Sequence, residues 1–191
     1  DALAEGLRKA GVKSGVVVIL NPQTGEILAL VSLPSYDNNM FAGAIKAEDL
    51  DRLLGDPLRP LLNRATMVAY PPGSTFKMVT ASAGLQEGVI NRSSQVSCSG
   101  RLVIPDKYSP DTKWVFPCWL PQGHGTVNVV EALAQSCDVF FYNVAMHTGV
   151  DRFHDSARRF GIGEVSGIDL PHEKPGLMPS SAWKRTNFKN D

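Results

Sequence analysis

At 191 residues, with 43% hydrophobic and 20% charged side chains, the chain has the composition of an ordinary globular protein and enough length to bury a core. Lysine plus arginine balances aspartate plus glutamate at 19 each, so no basic field exists to hold nucleic acid or an anionic membrane. The longest apolar runs, Val16 to Leu20 and Ile27 to Val31, are too short to cross a bilayer and read as strands.

The start at Asp1 and the abrupt finish at Ser180 to Asp191, with no helix stop or tail composition, predict a segment of a longer chain whose anchor, if any, lies upstream. Asp1 to Ala10 has helical spacing (Leu3, Leu7, Ala10) and ends at Gly11. The runs Gly15 to Leu20 and Glu26 to Val31 are joined by Asn21-Pro22-Gln23-Thr24-Gly25, which predicts an antiparallel hairpin. Ala47 to Leu54 reads as a short helix. Pro71-Pro72-Gly73 breaks the backbone, and Ser74 to Glu87 then reads as a helix, apolar on nearly every side and hence buried. From Asn91 to Gly125 there is little periodicity, which predicts a long functional loop or small subdomain. Asn128-Val129-Val130-Glu131 has the form of a capping box opening a helix through Ala134. Ser136-Cys137-Asp138 interrupts it, and further helices run from Val139 to His147, stopped by Gly149, and from Asp151 to Phe160. Helices around an antiparallel hairpin predict an α/β fold of the α+β type.

Ser74-Thr75-Phe76-Lys77 sets a hydroxyl and an amine three residues apart at a helix start, on one face. The positive helix terminus disfavours a protonated Lys77 and favours an alkoxide on Ser74. Burial acts in the same direction, leaving an uncharged amine able to take the serine proton. The Ser74 N–H belongs to the first turn, whose donors have no partner within the helix, and can face an oxyanion. The competing reading makes Ser74 a cap and Lys77 a solvated charge.

The stretch Tyr70-Pro71-Pro72-Gly73-Ser74-Thr75-Phe76-Lys77 resembles the active-site segment of class B penicillin-binding proteins. Val17 to Asp37, Pro60 to Ala65 and Gly123-His124-Gly125 are similar to the same family. The resemblance implies the penicillin-binding and serine β-lactamase-like transpeptidase fold, an antiparallel sheet flanked by helices. The whole chain would be the N-terminal part of one such domain, with 91–125 as a loop-rich insertion.

The family's second motif, Ser-x-Asn or Ser-x-Asp, is matched by Ser136-Cys137-Asp138. There Ser136 can relay a proton to the leaving amine, while Asp138 holds Lys77 or the substrate amide. Aspartate in the third place, with Cys137 and the following Phe140-Phe141-Tyr142, resembles the elongation-type branch, penicillin-binding protein 2. That resemblance implies crosslinking of peptidoglycan stem peptides during elongation of rod-shaped cells. It also implies acylation of Ser74 by β-lactams, a membrane glycosyltransferase partner, and work at the periplasmic face of the bacterial inner membrane. A β-lactam sensor without turnover and a β-lactamase-type hydrolase are the alternatives.

One departure stands out. The third motif, Lys-Ser/Thr-Gly, should follow the second, yet Lys13-Ser14-Gly15 precedes Ser74 and no copy follows Asp138. The fold is therefore expected to be incomplete at its C-terminal side, with Ser74 compromised in this chain alone.

Cys98, Cys118, His124 and Cys137 offer three thiolates and an imidazole, a full tetrahedral zinc set that would order 91–125 and fix Ser136 and Asp138 around Cys137. Some elongation-type relatives are similar in placing a zinc ligand at that middle position. A Cys98–Cys118 disulfide with Cys137 free, or three unrelated thiols, are the other readings. His147, His154 and His172 lack such companions and read as structural.

Overall fold

A computed structural model describes residues 1–106, 108, 109 and 111–188. The chain divides into two compact units, 1–69 with 167–175, and 70–166 with 176–191.

In the first unit, helix α1 (Ala2–Ala10) ends where Gly11 turns left-handed (φ 68°) and its N–H closes onto Arg8 and Leu7 carbonyls. Strands β1 (Gly15–Leu20) and β2 (Ile27–Leu33) pair antiparallel from Gly15 opposite Leu33 to Leu20 opposite Ile27, with a register shift after Ile19. Helix α2 (Ala47–Gly55) follows. The Ser32 hydroxyl on β2 donates to the Leu62 carbonyl and accepts from the Arg64 N–H. The buried Arg64 guanidinium donates to the carbonyls of Leu58, Arg59 and Leu62.

The second unit holds helix α3 (Lys77–Gln86), strands β3 (Val96–Cys98), β4 (Arg101–Pro105), β5 (Lys113–Pro117) and β6 (Gly125–Val127), and helices α4 (Val129–Ala134), α5 (Asp138–Thr148), α6 (Val150–Arg158) and α7 (Ser181–Asn187). β3 pairs antiparallel with β6, and β4 with β5. The stretch 91–125 is thus a small β subdomain. Its short strands alternate too briefly to register as periodic in sequence, and Lys107 and Pro110 lie outside the described residues.

The core gathers Ala81 of α3, Val129 and Ala132 of α4, Val139, Phe140, Phe141 and Val144 of α5, Val127 of β6, and all three cysteines. The capping box of α4 forms as expected: the Asn128 side chain accepts from Val130 and Glu131 N–H, and Glu131 accepts from the Asn128 N–H. Helix α3 differs from expectation. It buries Val79, Thr80, Ala81, Ala83 and Gly84 but leaves Met78 and Leu85 exposed, so it has one covered side rather than burial all round. Helix α7 went unforeseen. Its signal was Ser180, whose hydroxyl caps the Trp183 N–H. The remainder of that terminal stretch, Lys189 to Asp191, lies outside the described residues.

Close approach of α3 to α5 depends on Gly84, where an added Cβ would lie 2.5 Å from Val144 Cγ1 and 3.1 Å from Ile90 Cγ1. Alanine there gains helix propensity but overpacks a core already closed. Gly84→Ala is expected to lower stability by about 1–2 kcal/mol in denaturant unfolding, with partial recovery in the Gly84→Ala, Val144→Ala double variant.

Candidate active site

Ser74 sits in a 3₁₀ turn (Gly73–Phe76), and Lys77 is the first residue of α3. The sequence pattern predicted α-helix from Ser74 onward. The observed turn stacks residues i and i+3 more directly than an α-turn would. Pro72, fixed in φ, precedes it, and its carbonyl accepts the Thr75 hydroxyl at 2.6 Å. The Phe76 ring meets Phe153 of α6 edge-on at 5.5 Å, which pins the turn to the unit's interior. The Lys77 side chain is 12% exposed, its Nζ 5.8 Å from the Phe141 ring centroid. Clefts of about 380 and 400 Å³ flank the pair. Phe76, Phe141, Tyr142 and Phe153 help line one, and Met78, Leu133 and Ser136 the other; Ser74 and Lys77 line both.

Ser136 owes its position to the end of α4. The Ser136 N–H donates to Leu133 O and the Cys137 N–H to Ala132 O, the paired bonds of a Schellman ending. Such an ending needs a left-handed residue just past the cap, and Ser136 supplies it with φ 54° where glycine is usual. The chain then re-enters a helix at Asp138, so Ser136 and Asp138 both project from a tight corner.

These elements bring all four residues of the two motifs together. Lys77 Nζ donates to Ser136 Oγ at 2.9 Å, to Ser136 O at 2.8 Å, and to Asp138 Oδ1 at 2.5 Å. Ser136 Oγ in turn donates to Ser74 Oγ at 3.1 Å. The recorded route between the Lys77 amine and the Ser74 hydroxyl therefore runs through Ser136. Burial opposes ionisation of Asp138. Hydrogen bonds from Lys77 and from the Trp119 N–H, with the charge of Lys77, outweigh it and hold the carboxyl below its ordinary range.

Sequence reading did not single out Trp119, whose one signal is its place beside Cys118. Its backbone N–H donates to Asp138 Oδ2 at 2.9 Å and its indole N–H to Gln135 O at 3.0 Å.

The four candidate metal ligands also converge. Cys98, Cys118 and Cys137 are buried free thiols, and with a His124 ring nitrogen their ligand atoms lie within 4.8 Å of one another. His124 Nδ1 is 3.6 Å from Cys98 Sγ and 3.5 Å from Cys118 Sγ. The loops reach this proximity because glycine leaves room. A Cβ at Gly123 would lie 2.1 Å from the Cys98 carbonyl oxygen, and one at Gly100 would lie 1.9 Å from that of Pro121. Burial raises the Cys98 thiol, but hydrogen bonds from the His124 side chain and from the His124 and Gly100 backbones bring it down to about 7. Burial, with the neighbouring thiols, pushes Cys137 up to about 12. The remaining histidines stand apart from this cluster: His147 Nδ1 meets Asn143 O at 2.7 Å and His154 Nδ1 meets Met178 O at 2.9 Å.

Known proteins resemble this chain along nearly its whole length. Residues 15–190 match the family described as the penicillin binding protein transpeptidase domain. The peptidoglycan D,D-transpeptidase MrdA of Escherichia coli strain K12 is 43% identical over 183 residues, covering 94% of this chain and 28% of that protein. MrdA of Acinetobacter baumannii is 39% identical over 179 residues, 93% of this chain and 26% of the relative. The chain thus spans less than a third of the length of these curated relatives. Pseudomonas aeruginosa PBP2, in its complex with WCK 5153, aligns with TM-score 0.83 at 38% identity over 99% of this chain and 42% of that one. Helicobacter pylori PBP2, in its complex with MreC, aligns with TM-score 0.86 at 31% identity over 98% of this chain and 34% of that one. The mixed fold, the two motifs and these matches agree: the chain belongs to the penicillin-binding protein transpeptidase family.

Proposed function

We propose that the chain carries the first two motifs of an elongation-type peptidoglycan D,D-transpeptidase, with Ser74 as nucleophile, Lys77 as base, Ser136 as relay and Asp138 as the anchor of Lys77. The observation that carries this reading is the unbroken hydrogen-bonded run from Ser74 Oγ through Ser136 Oγ and Lys77 Nζ to Asp138. Names of relatives as D,D-transpeptidase and PBP2, with aspartate in the third place of the second motif, support the elongation branch.

In the proposed reaction, Ser74 Oγ attacks the carbonyl carbon of a D-Ala–D-Ala bond in a stem peptide. Its proton leaves over Ser136 Oγ toward Lys77, which accepts it as the uncharged amine. The Ser74 N–H, in the first turn, is one donor to the oxyanion. As the C–N bond breaks, the same relay returns a proton to the departing D-alanine amine, leaving an ester on Ser74. The amine of a neighbouring strand then attacks the ester carbon and frees the serine. β-Lactams would acylate Ser74 by the first half of this sequence. Relatives solved with MreC and in a peptidoglycan synthase complex support a partner in the elongation machinery, a membrane glycosyltransferase among them, at the periplasmic face of the inner membrane. Among the described residues, no helix is long and apolar enough to cross a membrane.

Zinc is the metal we propose for Cys98, Cys118, His124 and Cys137. Zn–S near 2.3 Å and Zn–N near 2.0–2.1 Å give a sulfur-to-nitrogen edge of about 3.6 Å in a tetrahedron. The two recorded edges, 3.6 and 3.5 Å, fit that figure. Buried thiols this close also repel one another when ionised, a cost that a divalent cation removes. Bound there, zinc would supply a closed structural cross-link.

Labelling the protein that carries this chain with a fluorescent penicillin, followed by mass spectrometry of the modified peptide, tests the central claim. A stable adduct on Ser74 is expected, Ser74→Ala should abolish it, and Lys77→Ala should slow acylation by about 10²–10⁴-fold. Rapid loss of the label would indicate a hydrolase instead.

Acid behaviour gives a second test. The Asp138 carboxyl is held below its unfolded value, so its stabilising pair with Lys77 is complete above about pH 4 and disappears as pH falls through the depressed native value. Thermal stability of the wild type should therefore drop more steeply below about pH 4 than that of Asp138→Asn.

For the metal, elemental analysis should find one zinc per chain. Cys98→Ser should lower both metal content and unfolding temperature. A metal-free protein with one disulfide by thiol count would establish the Cys98–Cys118 pairing instead.

A further inference from the structure

Trp119 is 60% exposed, so burial does not account for a tryptophan there. Its two N–H groups are nevertheless both committed, and to opposite ends of the same corner. The indole N–H holds Gln135 O, immediately before Ser136, and the backbone N–H holds Asp138 Oδ2, two residues after it. Ser136 lies between these two attachments in a left-handed conformation that serine does not favour. The carboxylate is divided: Oδ2 accepts from Trp119, and Oδ1 is turned to Lys77. The Trp119 ring rests edge-on to His124 at 5.4 Å, and Cys118 precedes it, so the clamp is carried by the loop that bears two of the cluster's ligands.

We infer that Trp119 is a positioning residue that acts through Gln135 and Asp138, holding the Ser136 hydroxyl and the Asp138 carboxylate in register with Lys77. The inference rests on the reading of Ser74 and Lys77 given above. Loss of the indole N–H frees the Gln135 end of the corner, so Ser136 Oγ spends less time between Lys77 and Ser74. Proton transfer suffers, while binding of a β-lactam before acylation does not. The contribution shows itself as a rate constant, with affinity preserved.

The test uses the protein that carries this chain, with stopped-flow acylation by a fluorescent penicillin resolving the pre-acylation dissociation constant from the acylation rate constant. Trp119→Phe keeps an aromatic ring and removes the donor. The acylation rate constant should fall about tenfold, with the dissociation constant changed by less than about twofold. Trp119→His returns a ring N–H at the matching position of the five-membered ring and should recover part of the rate. Unchanged acylation in Trp119→Phe overturns the inference. So does a rate loss matched by an equal loss of affinity, or one that Trp119→His does not relieve at all. Ser74→Ala in the same assay separates the two levels of the argument. If it still takes up label, the reading of Ser74 falls. If it does not and Trp119→Phe acylates normally, only the role of Trp119 falls.

Discussion

The site turns on one amine. Lys77 Nζ lies within hydrogen-bonding distance of a carboxylate, a hydroxyl and a carbonyl at once, all supplied by Ser136 and Asp138. A half-buried charge pair is weak evidence of stability, since desolvation offsets much of the attraction, but it is strong evidence of geometry. Everything that fixes the corner at Ser136 therefore fixes the orientation of Lys77, and through Ser136 Oγ that of Ser74.

Three features meet at that corner. The Schellman ending of α4 supplies two backbone hydrogen bonds, the buried Cys137 thiol lies in a cluster with Cys98, Cys118 and His124, and the Trp119 amide donates to the Asp138 carboxylate. The β subdomain between α3 and α4 is thus no ornament on the surface. It carries Cys98, Cys118 and His124 and delivers the Trp119 donor, and its glycines let two stretches of backbone pass nearly in contact. Chemistry and scaffold share residues here, and Cys137 lies directly between two of the four motif side chains.

Much of this was legible because the informative signals are local. Ser74 and Lys77 are three residues apart, Ser136 and Asp138 two, and the Asn128 capping box four residues long, so short patterns reveal each. The hairpin of β1 and β2 announced itself through two apolar runs around Pro22 and Gly25. What escaped depends on distance or on fine geometry. Over Gly73 to Phe76 a 3₁₀ and an α period cannot be told apart. The Lys77 amine meets a carboxylate 61 positions away, a contact that no local rule about helix termini could reveal. Trp119 reaches Gln135 and Asp138 across 16 and 19 positions. Strands of three to five residues in 96–127 were too short for their alternation to stand out.

Ser136 occupies a backbone position that glycine would fill without steric cost, whereas serine there gives up about 1 kcal/mol or more. Glycine would relieve the backbone but would also remove the hydroxyl that joins Lys77 to Ser74. One dihedral angle thus sets backbone comfort against a side-chain link between two helices.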